Sequence, residues 1–93
     1  MGLKFEWSHQ KARGNLKKHH VSFEEASTVF RDPLSVTVSD PVHSEPGDER
    51  LVILGHSNRG RLLVVVHSEE EERIRIISAR RPTLRERNQY EQG

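Results

Sequence analysis

The sequence predicts a small α+β domain. It expects a mainly antiparallel sheet of about four to six strands, within ordinary sheet sizes, with two N-terminal helices packed on it and a short C-terminal helix. Three observations carry this. Short segments from Ser35 onward alternate apolar and polar residues. Two of them, Arg50–His56 and Arg61–His67, are joined by Ser57-Asn58-Arg59-Gly60, a hairpin signal. Ahead of them stand two serine-led stretches with helical spacing. At 93 residues the chain makes one domain, spanning 1–93. Apolar residues at 32% and aromatics at 5% allow only a thin core.

Leu3–Trp7 reads as a first strand, with Leu3, Phe5 and Trp7 on one face. Ser8 can cap a basic helix from His9 to His19 or His20, in which Ala12 and Leu16 are spaced i, i+4 and Gly14 is a weak point. The second helix has capping-box spacing in Ser22 and Glu25, a staple pair in Val21 and Ala26, and the stripe Phe23, Ala26, Val29, Phe30. Asp32-Pro33 stops it. Ser35–Asp40 reads as a strand, Pro41–Glu49 as a polar loop, and Leu62–Val66 as the central strand, covered on both faces. Glu69–Glu72 is an acidic turn, Arg73–Ala79 the last strand, and Thr83 with Glu86 can cap a terminal helix. One core is expected to draw on Phe23, Val29, Phe30, Leu63 and Val65.

The formal charge is only +1, yet Arg73, Arg75, Arg80, Arg81, Arg85 and Arg87 crowd into one segment that ends at Tyr90. Concentrated rather than abundant arginine indicates a local anion site, because the guanidinium fork matches phosphate oxygens. The chain has no cysteine, which excludes disulfides and thiolate zinc sites and suits a cytoplasmic location. No apolar run approaches membrane length, so no membrane partner is expected. The histidines His9, His19, His20, His43, His56 and His67 show no metal-ligand spacing. No metal and no other cofactor is expected.

The segments FEWSHQKARGNLKKHHVSFEEASTVFRDP, ERLVILG, GRLLVVVH and RIRIISARR, with Glu86 and Tyr90, closely resemble the BrnT family. The resemblance runs from Phe5 to Tyr90. It implies a fold similar to RelE-type ribonucleases and a metal-independent endoribonuclease toxin that arrests growth. It also implies RNA as substrate and a cognate ribbon-helix-helix antitoxin, similar to BrnA, through which alone the protein would meet DNA. Ser8, His20 and Pro82 stand where the family commonly has Asp, Gly and Ala.

Metal-free RNA cleavage requires a base for the 2′-hydroxyl, cations around the phosphate and an acid for the leaving oxygen. The expected catalytic residues are His19, whose slot the family also fills with histidine, Arg80 of the family's S-x-R motif, and Arg50 ahead of Leu51–Gly55. Lys18, Trp7, Arg81 and Tyr90 are expected to contact RNA, the two aromatics by stacking on unpaired bases. His19, Arg50 and Arg80 are expected to converge on one cleft, with Lys18 nearby and Trp7 at its edge or beneath it. The plain alternatives are a surface or capping role for His19, surface ion pairs for the arginines, and core packing for Trp7. Two rival functions use the same residues: a non-catalytic toxin acting only through its antitoxin and operon regulation, and an RNA-binding module without cleavage.

Overall fold

The structure, a computed structural model, describes residues 2–92; Met1 and Gly93, the ends of the expected 1–93 domain, lie outside them. Strand β1 (Lys4–Glu6) is followed by helices α1 (His9–His19) and α2 (Phe23–Thr28) and a 3-10 turn (Val29–Arg31). Strands β2 (Val36–Ser39), β3 (Leu51–His56), β4 (Leu62–Glu70) and β5 (Arg73–Arg80) lead to helix α3 (Leu84–Gln92). The sheet has five strands in the order β1-β5-β4-β3-β2. All neighbours are antiparallel except β1 and β5. The expected α+β fold and its order of elements are thus observed, with β4 in the centre.

The local reasons are largely the anticipated ones. Ser8 Oγ accepts from Lys11 N at 3.3 Å and starts α1; Ser22 Oγ accepts from Glu25 N at 3.0 Å and starts α2. Only half of the second capping box forms. The Glu25 carboxylate turns away from Ser22 to bind Arg61 and Ser57 Oγ, because a buried carboxylate gains more from a guanidinium partner. α1 ends at His20, which takes the left-handed conformation at φ 59° and donates its N–H to Leu16 O. That left-handed cap is the geometry glycine adopts most readily, which agrees with the expectation of a glycine-like turn at this position.

Pairing fixes the two sheet faces. Val21, Phe23, Ala26 and Val29 pack against Ile53, Leu63, Val65, Ile74, Ile76 and Ala79 on the helix side. Phe30, Phe5, Trp7 and Ala12 border this core. The expected core residues Phe23, Val29, Leu63 and Val65 are fully buried, with Phe30 against them. Alternation sends Val64 and Val66 of β4 to the other face. There they register with Leu54 and Val52 of β3 and with Arg80 and Ser78 of β5. A bulge at Val66–His67 interrupts the β4–β5 register and sets Ser78 and Arg80 beside Val66 and Val64. α3, which buries none of its residues, covers part of this second face.

Candidate active site

A groove on the second face is lined by Val38, Val52, Val64, Val66, Ser78 and Arg80 from four strands, and by Arg50 just ahead of β3. Asp40 and His43 of the β2–β3 loop and Glu86 of α3 complete it. The floor is apolar and the rim is charged, the pattern of a site that fixes an anion with a few oriented groups.

Arg80 ends β5 and points to this face because its neighbour Ala79 points to the core. Its Nη1 and Nη2 donate to the two carboxylate oxygens of Glu86 at 2.8 and 2.9 Å. Glu86 also accepts from Thr83 N at 2.8 Å, while Glu86 N donates to Thr83 Oγ1 at 3.2 Å. The C-terminal capping box is therefore complete, and it aims its carboxylate at Arg80. The Arg80 bond chiefly holds the Glu86 carboxyl down at about 2.

Arg50 stands just before β3. Its N–H donates to Ser44 Oγ at 2.8 Å, and its Nη2 to Asp48 at 3.0 Å. Its Nε is buried with no hydrogen-bond partner among the described residues. The structure thus sets Arg50 and Arg80 on the same groove.

The other five expected residues, His19, Lys18, Trp7, Arg81 and Tyr90, lie outside the lining of this groove. His19 ends α1, half-buried. α1 meets the edge of β5 through Asn15, whose Nδ2 donates to Val21 O and Ala79 O at 2.9 Å each and whose Oδ1 accepts from Ala79 N at 3.0 Å. β1 pairs with β5 only as far as Glu6 and Arg75, so Asn15 satisfies the strand beyond that point. Lys18 is exposed on the same helix. Trp7 packs edge-on against Phe23 at 6.0 Å and lines a separate pocket with His9, Ala12 and Arg13. This groove therefore holds Arg50 and Arg80 without His19, Lys18 or Trp7; α1 packs on the core side and ends with His19 one turn past Asn15, at the edge of β5.

Tyr90 is drawn into a latch. Its hydroxyl donates to Asp32 at 2.7 Å, and its ring meets His56 edge-on at 5.2 Å. Asp32 also accepts from His56 N at 2.8 Å. It comes this close because Gly55 leaves room: a Cβ there would sit 3.1 Å from the Asp32 carboxylate. Arg81 is exposed, and its carbonyl accepts from Arg80 Nη1 at 3.2 Å. Arg75 pairs with Glu6 at 3.4 Å on the surface, as its plain alternative held.

Sequence reasoning passed over Asn15, Glu86 as the partner of Arg80, the Asp40–His43 contact, and Arg61, which neutralises the buried Glu25. Only the i, i+3 spacing of Asp40 and His43 was visible as a signal. Among the described residues no group of three or more His, Asp or Glu side chains is placed to hold a metal ion. No helix among them is long and apolar enough to cross a membrane.

Comparison with known proteins bears on the fold and the family. The fold is similar to the crystal structure of the Brucella abortus ribonuclease toxin BrnT, with a TM-score of 0.63 and 19% identity over 87% of this chain and 97% of that one. No curated protein matches the sequence. Residues 7–86 match the family described as the ribonuclease toxin BrnT of type II toxin–antitoxin systems, so the chain belongs to the BrnT ribonuclease-toxin family.

Proposed function

We propose that the protein is a metal-independent endoribonuclease that arrests growth and is neutralised by a cognate ribbon-helix-helix antitoxin. The observation that carries the reading is the pair Arg50 and Arg80 on one groove of a ribonuclease-toxin domain. Two guanidinium groups there can bracket a scissile phosphate and offset the charge that builds on its oxygens. A phosphate and a carboxylate use the same fork geometry, so the substrate phosphate replaces Glu86 on Arg80. His19 remains the proposed acid. It lies one helical turn beyond Asn15, which ties α1 to Ala79 beside Arg80. Lys18, Arg81, Trp7 and Tyr90 are proposed to guide the RNA strand, Tyr90 after its latch opens.

The antitoxin reading draws support from the exposed apolar residues Leu34, Val36, Val38 and Val42 along β2 and its flanks. One observation favours the rival, a non-catalytic toxin acting through its antitoxin alone: the Arg80 fork is fully occupied by Glu86.

Incubating purified protein with RNA, with and without a chelator, tests the reading. The expected result is cleavage in both conditions, leaving 2′,3′-cyclic or 3′-phosphate ends. Induction should stop growth, and co-expression of the adjacent antitoxin should restore it. Activity that vanishes with chelator would overturn the metal-free mechanism. Wild-type protein that cleaves no RNA, yet still binds antitoxin, would establish the rival.

A further inference from the structure

His43 has no role in the reading above, yet it lines the groove that contains Arg50 and Arg80. Its loop is closed at the base. Asp40 N donates to Arg50 O at 2.9 Å, Ser44 Oγ donates to Asp40 O at 2.6 Å, and Arg50 N donates to Ser44 Oγ at 2.8 Å. These bonds hold Asp40 and Ser44 beside Arg50 and carry His43 to the rim.

Within the loop, Asp40 Oδ2 lies 2.8 Å from His43 Nδ1. The Asp40 side chain is 20% exposed and that of His43 74%, so the carboxylate is sheltered while the ring is open to a ligand. The Asp40 carboxyl is held below the usual range, chiefly by this bond. It is therefore an ionised acceptor, and Nδ1 must carry the proton. That tautomer leaves a lone pair on Nε2. A carboxylate that fixes the tautomer and orientation of an imidazole is how many general bases are prepared.

We propose that Asp40 and His43 form the acid–base dyad of this groove, with His43 Nε2 accepting the proton of the RNA 2′-hydroxyl. The inference rests on the ribonuclease reading and deepens it. In the step, the 2′-hydroxyl proton passes to Nε2 and the 2′-oxygen bonds to phosphorus. The bond from phosphorus to the 5′-oxygen breaks, and its electron pair stays on that oxygen, which takes a proton from His19. The products are a 2′,3′-cyclic phosphate and a 5′-hydroxyl, without a co-reactant. Asp40 acts as a positioning residue, since it reaches the substrate only through His43.

The charged groups sharing the groove with His43 are Arg50 from β3, Arg80 from β5, Glu86 from α3 and Asp40 from its own loop. The carboxyls of Asp40 and Glu86 lie below their usual range, and the arginines stay charged.

The experiment measures RNA cleavage against pH for the wild type, His43→Ala, Asp40→Asn and Arg80→Ala. His43→Ala should lower kcat roughly a hundredfold, the scale of losing a general base, with KM little changed. It should also change the shape of the pH profile, and added imidazole should restore part of the rate. Asp40→Asn should give a smaller loss that imidazole does not repair. Asp40→Asn also serves as the second variant should His43→Ala fail to fold. Wild-type rate and pH profile in His43→Ala, beside an inactive Arg80→Ala, would overturn the dyad while leaving the ribonuclease reading intact. Wild-type protein without cleavage would overturn both.

Discussion

Arg80 and Glu86 form a two-point ion pair, at 2.8 and 2.9 Å, between the end of the sheet and the first turn of α3. Because α3 buries none of its own residues, this pair and the Tyr90–Asp32 bond are its main polar anchors. Glu86 also caps its own helix, so one carboxylate both starts α3 and docks it.

Acid should therefore undock α3. The folded-state carboxyl of Glu86 is lowered from its ordinary 4.5 to about 2, chiefly by Arg80. A lowered carboxyl stabilises the fold fully above its unfolded value. That contribution fades as pH falls through 4.5 and is gone below about 2. Given the half-open setting, its size is about 1 kcal/mol. Fluorescence of Tyr90, the single tyrosine, should report the loss across this window. Glu86→Gln should flatten it; an unchanged acid transition in that variant would refute the docking role.

Arg80→Ala should lower the rate of RNA cleavage by roughly two orders of magnitude, as expected for removal of one preorganised donor. Arg80→Lys should recover little, because an ammonium cannot present two parallel N–H groups. Circular dichroism should show the sheet and its core unchanged in both, with α3 loosened where Arg80 no longer holds Glu86. Substantial activity in Arg80→Lys would mean that charge alone, rather than the fork, serves the reaction.

The fold was readable because its signals are local. Alternation marked the strands, Ser57–Gly60 closed the hairpin with Gly60 at φ 76°, and Thr83 with Glu86 marked the last cap. The parallel β1–β5 pairing was not readable, since nothing near Lys4 in sequence specifies Arg73. Arg50 and Arg80 were singled out by the family resemblance, and the structure sets both on one groove. Asn15 and His43 were missed for opposite reasons. Asn15 bonds a strand 64 residues away, and no spacing rule spans that distance. His43 sits in a loop whose shape depends on Ser44 and Arg50 rather than on any period.

Asn15→Ala should be among the most destabilising single changes. Its amide makes three buried hydrogen bonds, to Val21 O, Ala79 O and Ala79 N. At about 1 kcal/mol net for each, the loss is about 3 kcal/mol. Asn15→Asp should be no better, because a carboxylate would face two carbonyl oxygens. Urea unfolding checks this; a loss under about 1 kcal/mol would exclude the clamp.

Tyr90 should titrate late. Burial and the bond to Asp32 raise its hydroxyl from an ordinary 10 to about 12. A raised acid favours the protonated form, so the contribution is complete below pH 10 and lost as pH climbs toward 12. Ultraviolet titration of the phenolate should show this. Asp32→Asn should move the midpoint back toward the ordinary value, and a midpoint that stays put would show that Asp32 does not set it.

Two glycine exchanges in and just after α1 should both stabilise, in opposite chemical directions. Gly14 lies within the helix, and a Cβ there would meet nothing within 4 Å. Gly14→Ala should therefore gain about 0.5–1 kcal/mol from helix propensity. His20 caps the same helix at φ 59°, a left-handed conformation that costs a β-carbon about 1–2 kcal/mol. His20→Gly relieves that strain but gives back part of it to the freer unfolded chain. The net gain should be about 0.5–1 kcal/mol, or about 2–8 °C in Tm for a domain of this size. Thermal melts of the two single variants and the double variant check both. The sites are far enough apart in role for the gains to add. A lower Tm in His20→Gly would mean that the imidazole makes a contact worth more than the strain it imposes.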